Sequence, residues 1–210
     1  MHIVDGALSN PVVIGGAVAA VGGIALGLRN LPLERIPAAG VLSAAFFVAS
    51  LIHVPIGPSS VHLILNGLAG LILGWAAFPT LFVGLLLQAV FFGFGGVTVL
   101  GINTVNIALP AVLVGLAIRP LIPRSGPVMA ALLGGFAGAL AIALTTLGVA
   151  LSLMMTGQEF LAAAHLIFVA HLPVIVIEGL LTGFAVLLAR KDKPELFTAL
   201  KGSSPSHASC

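Results

Sequence analysis

Charge is what this sequence has least of. Eight Lys and Arg and six Asp and Glu are spread over 210 residues, 60% of them hydrophobic, and the mean hydropathy is +1.24. So few polar side chains cannot cover a soluble globule, which excludes a water-soluble enzyme or binding module and leaves a membrane protein. A nucleic-acid partner is excluded as well, because the basic residues behind the pI near 9.2 lie in scattered connectors and form no patch. Cysteine is almost missing: Cys210 stands alone at the last position, so neither an internal disulfide nor a Cys-built metal site is available. The ending His-Ala-Ser-Cys is no prenylation box. No Lys or Arg precedes Arg29, so the positive start of a cleaved signal peptide is lacking, and the N-terminus is expected to be mature with Met1 retained before the bulky His2. No phosphate-binding loop of the Gly-x4-Gly-Lys-Ser/Thr kind and no His-Glu-x-x-His occurs, and no long repeat recurs.

What the chain does have is apolar runs. A hydrocarbon core about 30 Å thick takes roughly 20 helical residues, so the length allows about six to eight spans and little else. The runs between punctuation predict an all-α polytopic membrane protein with seven helices: Val12–Leu28, Pro37–Ile52, Val61–Phe78, Leu81–Phe94, Val105–Ile118, Val128–Met155 and Phe160–Leu188. Fusing the fourth and fifth would overrun the bilayer, and the Gly93–Gly96 cluster with Gly101, Asn103 and Asn106 predicts a break there, re-entrant in character. Seven spans put all eight Lys and Arg residues on one side, in the connectors Arg29–Arg35, Phe78–Thr80 and Arg119–Pro127 and the tail from Ala189. The positive-inside rule then makes the C-terminus cytoplasmic and the N-terminus external, in a cell (inner) membrane. The expected organisation is one transmembrane substrate-binding domain, residues 1–190, with an N-terminal segment 1–11 and a disordered cytoplasmic tail 191–210 rich in Ser and Pro.

That topology brings the opening Met-His-Ile-Val-Asp-Gly to the same outer side as the connector His53–Ser60 and His62. A free α-amine, the amide nitrogen of His2 and its imidazole Nδ1 can close on one metal as fused five- and six-membered rings. Such a planar nitrogen set suits Ni(II), Cu(II) or Co(II) and leaves one in-plane position open. His62 is the candidate to fill it, expected on the first turn of the third helix with Ser59 or Ser60 capping. The competing readings are a solvated terminal His2 and a capping or interfacial His62. Among the other polar residues, His53 is a further ligand or a cap of the second helix, and Asp5 an anchor of the N-terminal segment. Asn103 and Asn106 satisfy broken backbone or line a pore. His171 and Glu178, seven apart on the last helix, form a buried hydrogen-bonded link or belong to an ion path. Two other classes remain: an intramembrane protease built on Gly57–Ser60 with His171 as base, which lacks the glycine after the serine that a sharp elbow wants, and a passive channel or purely structural subunit in which His2 is incidental.

These stretches together resemble a known family, the substrate-capture (S) components of energy-coupling-factor transporters for cobalt and nickel, CbiM/NikM. The resemblance rests on "MHIVDG", "HVPIGPSSVHLILNG", "GGVTVLGINTVNIALP" and "HLPVIVIEGLLTG" and runs from Met1 to about Ala189. It implies a seven-helix fold whose N-terminus dips into the bundle, with the metal on the Met1 amine, the His2 amide and imidazole, and a histidine matching His62. It implies no ATP chemistry in this chain. The partners it implies are a transmembrane coupling subunit, a pair of cytoplasmic ATPases and a small membrane accessory subunit. The transported substrate is expected to be Co(II), since "HVPIG" to "SSVH" is closer to the cobalt branch; Ni(II) is the alternative, favoured by the Asp-Gly-x-Leu-Ser pattern near the start. No organic cofactor is expected.

Overall fold

The computed structural model describes residues 2–56, 59–157 and 161–197. Among them are seven α-helices and one hairpin: α1 (Asn10–Arg29), α2 (Ile36–Ala49), β1 (His53–Ile56), β2 (Ser59–His62), α3 (Asn66–Leu73), α4 (Ala77–Phe92), α5 (Leu100–Ile118), α6 (Pro127–Met154) and α7 (Leu161–Asp192). Five segments are long and apolar enough to cross a bilayer: Asn10–Arg29, Asn66–Phe92, Leu100–Leu121, Pro127–Met154 and His165–Asp192. The protein is a multi-pass membrane protein, and the lipid-facing exposure of residues such as Ile14, Val18, Phe136, Leu180 and Phe184 is what such a solvent permits.

The helices begin and end on readable signals. Proline stands in the first turn of α1, α2 and α6, where its missing N–H costs nothing. The break expected at Gly93–Gly96 is present, and α4 ends on Gly93 in the left-handed region. The fifth helix starts earlier than the sequence suggests, at Leu100, so Gly101, Asn103 and Asn106 lie within regular helix and not in the break.

The third helix departs furthest from expectation. Its predicted start, Val61 and His62, is instead β2, paired antiparallel to β1 in the register His53↔His62, Val54↔Val61, Pro55↔Ser60 and Ile56↔Ser59. His62 is therefore a strand residue, and Ser59 and Ser60 cap nothing. β-branched Val54, Ile56 and Val61, with Pro55 restricting the residue before it, favour extended backbone over helix. Helix begins only at Asn66, whose Nδ2 donates to the Ile107 carbonyl and Thr145 Oγ1, both at 2.9 Å. Ile107 lies seven residues into α5, about 10 Å below its start.

The connector expected at Phe78–Thr80 is helical, and the reversal occurs at a 3₁₀ turn, Gly74–Ala76, entered through Gly74 at φ +58°. From Asn66 beside Ile107, α3 passes Gly70 on Ala111 and reaches Gly74 near Arg119, so it runs parallel to α5. Phe78 of α4 lies against Gly23 of α1 and Gln88 lies by His2, so α4 runs back the other way. α6 and α7 pack antiparallel along their length, Gly134 on Val186 and Gly138 on Thr182. α3 is thus an eight-residue helix, about 12 Å long, too short to be stable by itself. Charge sits at both its ends. The Glu178 carboxylate accepts from the Ile64 and Leu65 amides at the start, and the buried Arg35 guanidinium donates to the Ile72 carbonyl at the end. Each charge has the sign that the helix dipole favours.

Candidate metal centre

The N-terminal segment lies within the bundle and is held by partners far along the chain. Ile3, fully buried, forms a reciprocal pair with the Asn103 side chain: its N–H donates to Oδ1 and its carbonyl accepts from Nδ2, both at 3.0 Å. Asn103 thus satisfies irregular backbone as expected, but that of the N-terminal segment. Asp5 donates its N–H to the Gly95 carbonyl at 2.7 Å, and its Oδ1 accepts from Thr98 Oγ1 and the Val99 amide. Gly96, at φ +112°, leaves the room its carboxylate occupies; a Cβ there would fall on it. The Ser9 amide donates to Thr156 Oγ1 at 3.2 Å. Asp5 is the anchor that the sequence predicts.

These ties carry the His2 ring into the protein, where it stacks on His62 with centroids 4.6 Å apart and planes 24° from parallel. His2 and His62 are 2% and 3% exposed. Phe94 closes one side, 6.3 Å from the His2 ring, and the His53 ring meets Phe94 edge-on at 4.2 Å. The His2 amide donates to Ser60 Oγ at 3.4 Å. His62 Nδ1 bonds the Leu63 carbonyl at 2.8 Å, so Nδ1 carries the proton and the lone pair lies on Nε2. Among the described residues neither ring nitrogen of His2 meets the geometry of a hydrogen bond, although the Gln88 side-chain amide, equally unsatisfied, lies close enough to interact with the ring. A buried imidazole with two idle nitrogens is costly unless something else binds it.

Burial, above all, holds the His2 imidazole down at about 4, with His53 nearby adding to the effect and Gln88 opposing it. Burial likewise holds His62 down at about 4, against its backbone hydrogen bond. Both rings are therefore neutral at physiological pH, the form that ligates a metal. Among the described residues no three His, Cys, Asp or Glu side chains cluster as a metal site. An imidazole pair here has to be completed by backbone nitrogens or the N-terminus; Met1, the remaining predicted ligand, lies outside the described residues.

The other candidates separate. His53 stands opposite His62 in the hairpin with Nδ1 3.4 Å from the Leu51 carbonyl, and caps no helix. Asn106 bonds Ser152 Oγ on α6 at 3.1 Å and ties α5 to α6. His171 and Glu178 are fully buried but not bonded to each other: His171 Nδ1 bonds the Ile167 carbonyl at 2.6 Å, and Glu178 bonds the chain leading into α3. Ser59, the nucleophile of the protease reading, is buried, and among the described residues its hydroxyl has no hydrogen-bond partner that would act as a base. Gln88 and Phe94 were missed from the sequence, and Ser60, read there as a helix cap, instead accepts from the His2 amide. Gln88 carried a signal, since an amide within an otherwise apolar span seldom lies there idle.

Residues 2–196 match the family described as CbiM, cobalt uptake substrate-specific transmembrane region. A candidate metal transport protein of Haemophilus influenzae is 42% identical over 209 residues, 97% of this chain and all of that one. The cobalt transport protein CbiM of Sorangium cellulosum is 30% identical over 79% of this chain and 77% of its own. The fused nickel transport protein NikMN of Rhodobacter capsulatus is 36% identical over 48% of this chain and 29% of its own. Among solved structures, a truncated transition metal transporter superposes with a TM-score of 0.78 at 27% identity, covering 91% of this chain and 99% of that one.

Proposed function

Because the chain belongs to the CbiM family of metal-uptake membrane proteins, we propose that it is the substrate-capturing subunit of an ATP-driven cobalt uptake transporter. Co(II) is its cargo, held by the Met1 amine, the His2 amide nitrogen and imidazole, and the His62 imidazole. The observation that carries this reading is the His2 ring: buried, stacked on His62, and, among the described residues, without a geometric hydrogen bond at either nitrogen.

The chemistry follows from the donor set. Three nitrogens of the first two residues bind in one plane and His62 Nε2 supplies the fourth. The metal displaces protons from the amine and the amide, so affinity rises with pH. The ties from Ile3 to Asn103 and from Asp5 to Gly95 and Val99 hold the chelate in the bundle without touching the cargo. Residues 1–190 act as one transmembrane unit with its metal-binding segment at 1–11; the N-terminus is external, and residues 191–210 form a cytoplasmic tail. ATP is hydrolysed by partner ATPases, and a transmembrane coupling subunit and a small accessory membrane subunit complete the transporter. The family description and the cobalt-named relative favour cobalt, while relatives named for nickel and the planar nitrogen set make Ni(II) the competing cargo.

The test is metal binding by C-terminally tagged protein beside a variant carrying Gly-Ser ahead of Met1. The native form should bind Co(II) and the extended form lose binding by 100-fold or more, on the order expected when primary ligands are removed. Equal binding by both would move the site away from the N-terminus. Direct competition between Co(II) and Ni(II) decides the cargo.

A further inference from the structure

The residues that join β2 to α3 contain a connection that the ligand set does not use. His62 Nδ1 donates to the Leu63 carbonyl at 2.8 Å. The N–H of that same peptide group is the Ile64 amide, and it donates to Oε1 of Glu178 on α7, 114 residues away. The next amide, Leu65, donates to the same oxygen at 2.8 Å. Leu65 itself is held at φ 57°, the one described non-glycine residue with positive φ, as expected of backbone shaped by its partners and not by local preference. Ser50 Oγ, just beyond α2, also approaches the Leu63 carbonyl, at 3.4 Å.

We infer that Glu178 is a positioning residue for the metal centre, acting on the His62 imidazole through the single peptide group between Leu63 and Ile64. The inference rests on the reading of His62 as a ligand. Metal-bound histidines commonly donate their second ring N–H to a carboxylate or a carbonyl, which fixes the tautomer and strengthens the ligand nitrogen. Here both elements are present in series: carboxylate, peptide, imidazole. Hydrogen bonds in series polarise one another, so a carboxylate on the N–H makes the carbonyl a better acceptor and Nε2 a better donor to a metal. The geometry has a second effect. The Leu63–Ile64 peptide plane cannot rotate without leaving Glu178, so the His62 ring keeps its face toward His2 for as long as α7 keeps its place against this segment.

The experiment uses full-length protein in detergent, titrated with Ni(II) and with Co(II) and followed by visible absorption, which reports how many nitrogens surround the metal. Glu178→Ala should show the spectrum of His62→Ala, with affinity about 10- to 100-fold below that of the native protein. The double variant should be no weaker than His62→Ala alone, because both changes remove one and the same ligand. Glu178→Gln, whose amide oxygen can accept the same two N–H bonds, should keep the native spectrum. A native spectrum in Glu178→Ala, or full additivity in the double variant, overturns the assignment. Should Glu178→Ala fail to fold, Glu178→Gln and Glu178→Asp carry the test. Asp is one methylene short of the two amides and should perturb the spectrum more than Gln does; the opposite order overturns the assignment. A His62→Ala variant with an unchanged spectrum would remove the metal-site reading itself, and this inference with it.

Discussion

The α6–α7 pair and the stretch from His53 to Leu73 pass through the same apolar surroundings by opposite means. α6 and α7 run for 28 and 32 residues with their backbone groups paired within each helix, save where Pro173 of α7 lacks an N–H. Hydroxyls on α6 donate back one turn, Thr145 to Ala141, Thr146 to Ile142 and Ser152 to Gly148, so these donors are satisfied within the helix even where the same oxygens accept from Asn66 and Asn106. The other stretch contains a hairpin, three residues of irregular backbone and only eight of helix. Irregular backbone at such depth is tolerated only inside protein, and its polar groups are met by side chains from elsewhere: Glu178 from α7, Arg35 from before α2, Asn66 reaching α5 and α6. Regular helix is surrendered where a side chain has to be delivered to a chosen spot, and buried charge replaces it.

The contrast can be broken first with acid. His2 and His62 are held near 4 in the folded protein against 6.5 for an ordinary histidine. Between those values the unfolded chain binds more protons, so metal-free stability is complete above about pH 6.5 and falls as pH drops toward 4, by on the order of 3 kcal/mol for each ring. Thermal unfolding in detergent at pH 7, 5.5 and 4 should show the midpoint falling; a midpoint constant over that range contradicts the burial of neutral rings. Next is the far end of α3. Arg35→Leu removes the donor on the Ile72 carbonyl and should cost about 1–3 kcal/mol in detergent unfolding, as loss of a hydrogen bond to a charged group does. Stability equal to the native protein would mean that α3 needs no cation at its last turn. The smallest effect belongs to α7. Thr182 is fully buried and among the described residues its Oγ1 has no hydrogen-bond partner, so Thr182→Val, nearly isosteric, should be neutral or stabilising by up to about 1 kcal/mol. Destabilisation beyond that would show the hydroxyl to be engaged after all.

Much of this arrangement was legible in the residues. Charge placement predicts seven spans, of which five segments are long and apolar enough to cross a bilayer, and it puts His2 and His62 at one end, where the rings lie stacked at 4.6 Å. Asp5 as an anchor and the glycine break before α5 were equally readable, because their signals are local. The start of α3 was not. "VHLILNGLAGLILGW" is an unbroken apolar run, and periodicity alone cannot separate strand from buried helix within it. What holds the chain out of helix as far as Leu65 is a carboxylate 113 residues later, and no window of sequence contains both. The same holds for Asn103, visible as a polar residue in an apolar span but not as the partner of Ile3.

The direction of α3 has an electrostatic consequence. Its amino end faces back up the chain toward β2 and His62, and a bare helix amino end carries roughly half a positive charge and attracts anions. A cation bound at the proposed His2–His62 site would be opposed by that potential. The Glu178 carboxylate, bonded to the two amides just ahead of the helix, reverses its sign. Without that one carboxyl group, two buried amides ahead of α3 would be left without their acceptor.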